Sequence, residues 1–183
     1  MTSSCAVCRE NPEPGAVGLN RVGGLDVCDP CFLGLAPHRA RDRGWNISID
    51  QWERTDQEGN VVAYITRAHL TLGKGIGVHF KSWRKTLLRK LLQMFKPSVS
   101  VGDSLFDHHV YTRSKNPGLT RRILGDEGVQ SIIMDMLGEG SWIEFEATTL
   151  TTYSVRNEYV SEAKFTSEMC VLACHLERLA LPS

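Results

Sequence analysis

Long apolar runs are absent: nowhere does the chain reach the roughly 18 consecutive apolar residues of a membrane-crossing helix. The opening Met1-Thr2-Ser3-Ser4 has no apolar signal-peptide core. A soluble, cytoplasmic protein is therefore expected. Charge of one sign is missing too, since 21 Lys and Arg stand against 21 Asp and Glu. That balance argues against a surface that attracts polyanions everywhere. Nor is the composition that of a disordered chain, because 42% of the 183 residues are hydrophobic and 23% charged. The length suits one medium domain, or a small module plus a domain of about 140 residues. The G-x-S-x-G, H-E-x-x-H and kinase signatures do not occur. The glycine run Gly73-Lys74-Gly75-Ile76-Gly77 lacks both the phosphate-loop pattern and a nucleotide-binding helix after it.

What is present begins with cysteine. Cys5-Ala6-Val7-Cys8 and Cys28-Asp29-Pro30-Cys31 form C-x2-C-x19-C-x2-C, a spacing that predicts a four-thiolate zinc site. Two cysteines separated by two residues turn both sulfurs inward on one knuckle. Two knuckles then complete a tetrahedron around one ion. Disulfides suit secreted chains, and a redox dithiol needs one C-x-x-C on a βαβ unit, so both alternatives fit less well. With four thiolates the ion is coordinatively closed, hence structural rather than catalytic, and it supplies folding energy that so small a module lacks. Between the pairs, Val17–Val22 and Leu25–Val27 flank Gly23-Gly24, which predicts a β-hairpin. Pro30 and Phe32-Leu33-Gly34-Leu35-Ala36 start a helical turn. Knuckle, hairpin, knuckle and helix start resemble the treble-clef and zinc-ribbon fingers. Residues 1–44 hold five arginines and five acids, which favours protein contact or structural support over nucleic-acid reading by the finger itself.

A polar stretch, residues 37–44, places a boundary near Gly44. Residues 45–183 then read as an α+β domain, a mixed sheet-and-helix unit with a long C-terminal helix. Residues 45–52 alternate as a half-buried strand, 56–60 turn, and Val61–Leu72 forms its hairpin partner. Val78-His79-Phe80 is a short strand. From Lys81 to Lys96 the spacing predicts an amphipathic helix: Trp83, Leu87, Leu88, Leu91, Leu92, Met94 and Phe95 share one half, and basic residues dominate the other. Lys81, Arg84, Lys85, Arg89, Lys90 and Lys96 occur there without an acid. Core packing with a solvated lysine face explains the pattern, and docking on an acidic partner or an anionic surface is the functional alternative. His108–Arg113 reads as a strand. Asn116-Pro117 starts a helix that runs through Leu124, and a second helix runs from Asp126 to Leu137. Trp142–Glu146 and Thr149–Val155 are strands, and Val160–Leu181 is the closing helix, with Phe165, Met169, Leu172, Leu176 and Leu179 in one stripe.

The run Val101-Gly102-Asp103-Ser104-Leu105-Phe106-Asp107, the strand after it, Asn116-Pro117 and the paired helices resemble an uncharacterised bacterial "GD…FD" domain over residues 45–183. The resemblance implies a bacterial or phage origin and imports no activity. Physically, Gly102 and Asp103 can turn the chain, Phe106 can plug the core, and Asp107 can cap backbone donors. Asp103, Asp107, His108 and His109 are the candidates for a hydrolytic site, but neighbouring histidines on a strand face opposite ways, and a structural corner explains them. Cys170 and Cys174 share a helix face from which His175 diverges. Off the main stripe, the two cysteines suggest a second packing surface or an interface. Residues 81–124 carry ten basic residues and two acids, whereas residues 125–183 carry three and ten. The halves either offset each other internally or dock separate partners.

These features rank a non-enzymatic, zinc-stabilised adaptor or assembly protein first, acting through a protein partner or self-association. A nucleic-acid-associated regulator using the finger and residues 81–96 comes second. A hydrolase-like enzyme centred on Asp103–His109 comes third. No small-molecule substrate is evident.

Overall fold

A computed structural model describes residues 19–22 and 25–28 by their backbone, and residues 43–85 and 98–180 in full. Strands β1 (Leu19–Val22) and β2 (Leu25–Cys28) pair antiparallel, with Val22 opposite Leu25 and Leu19 opposite Cys28. This is the hairpin expected between the cysteine pairs.

The larger unit is mixed α+β, as expected. Strand β3 (Asn46–Thr55) pairs with β4 (Val61–Thr71) across the predicted turn, where Asp56 accepts hydrogen bonds from the backbone N–H groups of Glu58 and Asn60. After β5 (His79–Arg84) come helix α1 (Ser104–His109), β6 (Val110–Ser114), α2 (Pro117–Leu124) and α3 (Glu127–Met136). Strands β7 (Trp142–Glu146) and β8 (Thr149–Arg156) and the long helix α4 (Glu162–Ala180) finish the fold. The six strands form one antiparallel sheet in the order β3-β4-β8-β7-β5-β6.

Period-two alternation decides what each face of that sheet carries. Leu70, Leu150, Phe145 and Phe80 lie opposite one another on successive strands and are buried. The helices cover this face: Ile123, Ile133, Met136, Phe165 and Met169 belong to the same core. Helices α2 and α3 start where the sequence predicts. Asn116 accepts from the Leu119 N–H with Pro117 in the first turn, and Asp126 accepts from the Val129 N–H.

Three expectations need correction. Lys81 and Arg84 do not open a helix, because His79–Arg84 is a strand between β6 and β7. Phe80 and Ser82 face the core while Lys81 and Trp83 face away, so the run satisfies period two as well as period 3.6. Backbone partners on both sides select the strand. Residues 86–97, the rest of that expected helix, lie outside the described residues. His108 and His109 are not in a strand but end α1, which Asp103 starts by accepting from the Phe106 N–H at 2.6 Å. Finally, Cys170 and Cys174 mark no separate surface. Helix α4 is buried nearly all round from Phe165 to Leu176, and both thiols lie in the common core. Burial pushes the Cys170 thiol far above its ordinary pKa, so it behaves as a small hydrophobe.

Candidate binding face

The face of the sheet opposite the helices carries side chains that the core does not use. In register across the strands stand Tyr111 (β6), Trp83 (β5), Trp142 (β7) and Tyr153 (β8), then Arg67 (β4) and Asp50 (β3). Neighbouring strands lie about 4.8 Å apart, so directly opposed aromatic side chains meet. Trp142 stacks on Tyr153 with centroids 6.1 Å apart, and Trp83 meets Tyr111 at 5.7 Å. Trp52 extends the group toward β3, 6.3 Å from Tyr153, and is 41% exposed.

Cations sit against these rings. Lys81 Nζ lies 3.9 Å from the Trp142 ring centroid and donates to Glu144 at 2.7 Å. Arg67 lies over Trp52 at 5.9 Å and pairs with Asp50 at 3.0 Å. Arg113 lies 5.9 Å from the Tyr111 ring and donates its Nε to the Tyr111 hydroxyl, with no carboxylate partner among the described residues. The row beside the aromatic one is polar throughout: Arg113, Lys81, Glu144, Thr151, His69 and Ser48. At the β6-β5-β7 end a depression of about 230 Å³ is lined by His79, Lys81, Arg113, Lys115, Glu144 and Glu146 among others. A hydrogen bond from Lys115 and its charge, with His79 adding to them, hold Glu146 below the usual carboxylate range.

This arrangement can hold an extended ligand by stacking on flat rings and by hydrogen bonding to a cationic margin. One hydroxyl on it meets a ring nitrogen, Thr151 Oγ1 lying 3.1 Å from His69 Nδ1. Among the described residues, no three His, Cys, Asp or Glu side chains converge as a metal site would require.

The structure disperses the basic residues singled out in the sequence. Lys81 belongs to the face. Arg84 reaches the Leu137 carbonyl at 3.5 Å, and the Lys85 ammonium donates to the Asp107 carbonyl. Arg89, Lys90 and Lys96 lie outside the described residues, as do Cys5, Cys8 and Cys31; Cys28 ends β2, described by backbone alone. The Asp103–His109 candidates form a structural corner. Asp107 accepts from the Ser100 hydroxyl at 2.6 Å and from the Val101 and Gly102 N–H groups at 3.0 and 3.1 Å. Gly102 adopts φ +90°, and Phe106 is buried. Partial burial opposes ionisation of Asp107. The hydrogen bonds and the Lys85 charge outweigh it and hold the pKa below the ordinary value. The two histidine rings meet edge to face at 4.9 Å.

The aromatic row is the feature that sequence reading missed. Its signal was available in three strands read one at a time: Lys81-x-Trp83, Tyr111-x-Arg113 and Trp142-x-Glu144-x-Glu146 put aromatics and charges on the parity that avoids the core. Of the two explanations for the basic and acidic halves, internal offset has support, because Lys81–Glu144 and Lys115–Glu146 join them.

No protein-family model, curated protein or solved structure matches the chain. No helix among the described residues is long and apolar enough to cross a membrane.

Proposed function

We propose that the chain is a non-enzymatic binding protein whose aromatic sheet face takes single-stranded nucleic acid. One observation carries the reading: Trp83, Trp142 and Tyr153 stand half-buried in one row across three adjacent strands, with the buried Tyr111 at the end of the row and Lys81 against the Trp142 ring. Rings on a sheet accept stacked bases regardless of sequence, and cations beside them follow the phosphates. The neutral total charge is compatible with this, since the ligand meets one face rather than the whole surface. At the other end of the chain, Cys5, Cys8, Cys28 and Cys31 hold one structural zinc ion. The β1–β2 hairpin between the two pairs supports that reading.

The test is fluorescence anisotropy of labelled oligo(dT) and oligo(U), about 12 nucleotides long, titrated with the full chain at about 50 mM salt. Saturable binding that weakens with salt is expected. Trp142→Ala removes a stacking surface worth about 1–3 kcal/mol, so affinity falls roughly 10-fold or more. Lys81→Glu reverses a charge in the row beside the rings and weakens binding further at low salt. Absence of binding to either oligonucleotide, or binding indifferent to both substitutions, overturns the proposal. The carboxylates Asp50, Glu144 and Glu146 on the face favour a protein partner as the second reading, and that adaptor role then takes first place.

A further inference from the structure

The two edges of the sheet are treated differently. On β6 the outer side is covered: the Val99 N–H donates to the Thr112 carbonyl at 2.9 Å, and the Thr112 N–H donates to Ser98 Oγ at 3.1 Å. On β3 it is bare. This strand is ten residues long and pairs with β4 alone, so its other side presents unpaired backbone donors and acceptors among the described residues. Native proteins protect such edges with proline, short length, bulges or charged side chains, and on β3 the charges Asp50, Glu53 and Arg54 restrict which register can pair. Strand β3 has no proline, and its one irregularity comes at the end, between Arg54 and Thr55.

We infer that β3 is the contact between two copies of this chain, pairing antiparallel about Trp52 so that Asp50 of each copy faces Arg54 of the other. The sequence of the edge selects this register. Centred on Asp50 or on Glu53, a symmetric pair brings like charges together. Centred on Gln51, it sets Ile49 against Glu53. Centred on Trp52, it makes two opposite-charge pairs and brings together two exposed indoles. Arg54 has no carboxylate partner within its own chain among the described residues, and Asp50 has only the exposed Arg67. Residues 49 to 55 of each copy then lie opposite residues 55 to 49 of the other. The two six-stranded sheets join into one, and the contact is isologous and closed, which limits assembly to a dimer.

Sedimentation velocity of the full chain, from about 1 to 100 μM, tests this. A concentration-dependent dimer is expected. Asp50→Lys alone and Arg54→Glu alone each set like charges opposite one another twice, which weakens the dimer about 10-fold or more. An equimolar mixture of the two variants restores opposite charges at both positions and recovers dimers, a result that misfolding of either variant cannot mimic. A monomer throughout the range overturns the inference. So does a dimer indifferent to both substitutions, or a mixture no tighter than its parts.

Discussion

Replacing Asp107 by asparagine probes whether the Gly102–Asp107 corner is architecture. The carboxylate accepts three hydrogen bonds, from Ser100 at 2.6 Å, Val101 at 3.0 Å and Gly102 at 3.1 Å. Asparagine with its oxygen in the Oδ2 place keeps the Ser100 and Gly102 bonds in weaker, uncharged form and turns its NH₂ toward the Val101 N–H, so one bond is lost outright. Hydrogen bonds to a charged acceptor contribute about 1.5–3 kcal/mol each when buried, and Asp107 is only partly buried, so the expected cost is about 2 kcal/mol. For a chain of this size that lowers Tm by roughly 4–8 °C. The pH dependence follows from the depressed pKa. A carboxylate that ionises more readily in the folded state contributes stability above its ordinary value of 3.8, and that stability is lost as pH falls through the lower folded value. The gap between wild type and variant is therefore full at pH 7 and narrows below about pH 4. Urea unfolding followed by circular dichroism, run at both ends of that range, measures it. Equal midpoints at pH 7 would refute the structural account and return the carboxylate to the candidates for chemistry.

Two other outcomes follow from local geometry and metal chemistry. A Cβ built on Gly138 comes 2.1 Å from the Val155 carbonyl oxygen, a backbone atom that cannot rotate away; Gly138→Ala is expected to cost about 1–3 kcal/mol or more, visible as a lower midpoint in thermal circular dichroism. An unchanged midpoint would show that β8 and the α3–β7 connection shift freely. Elemental analysis of reduced, freshly purified protein should find one zinc per chain, and Cys8→Ser should lower metal affinity by at least about 10-fold in competition with a chelator. Metal-free wild-type protein would remove the proposed brace.

Most of the elements were legible in the amino-acid sequence, because they depend on short-range chemistry. The β3–β4 hairpin follows from alternation on either side of the polar turn Asp56–Asn60. Helices α2 and α3 follow from Asn116-Pro117 and Asp126, whose side chains satisfy backbone donors within the first turn. The stripe of α4 and the pairing of β1 with β2 are equally local. Where two local rules agreed with the same residues, sequence could not decide. Residues 79–84 fit a helix face and a strand, and only partners on both flanks make them the strand β5. At His108 and His109 the Asp103 cap, three residues before Phe106, outcompeted the strand that followed.

The candidate face belongs to the other category. Each of its aromatics was visible as one residue in one strand, but Tyr111, Trp83, Trp142 and Tyr153 become a row only through the order β6-β5-β7-β8. That order is a matter of non-local hydrogen bonding, with His79 of β5 opposite Glu146 of β7. Sequence by itself determined the α+β class, the caps of α2 and α3, the alternation of β3 and the paired-cysteine spacing, since each depends on neighbours a few residues away. Tertiary structure alone decided which strands are adjacent. That choice gathered the rings on one surface, covered one edge of the sheet and left the other without a partner among the described residues.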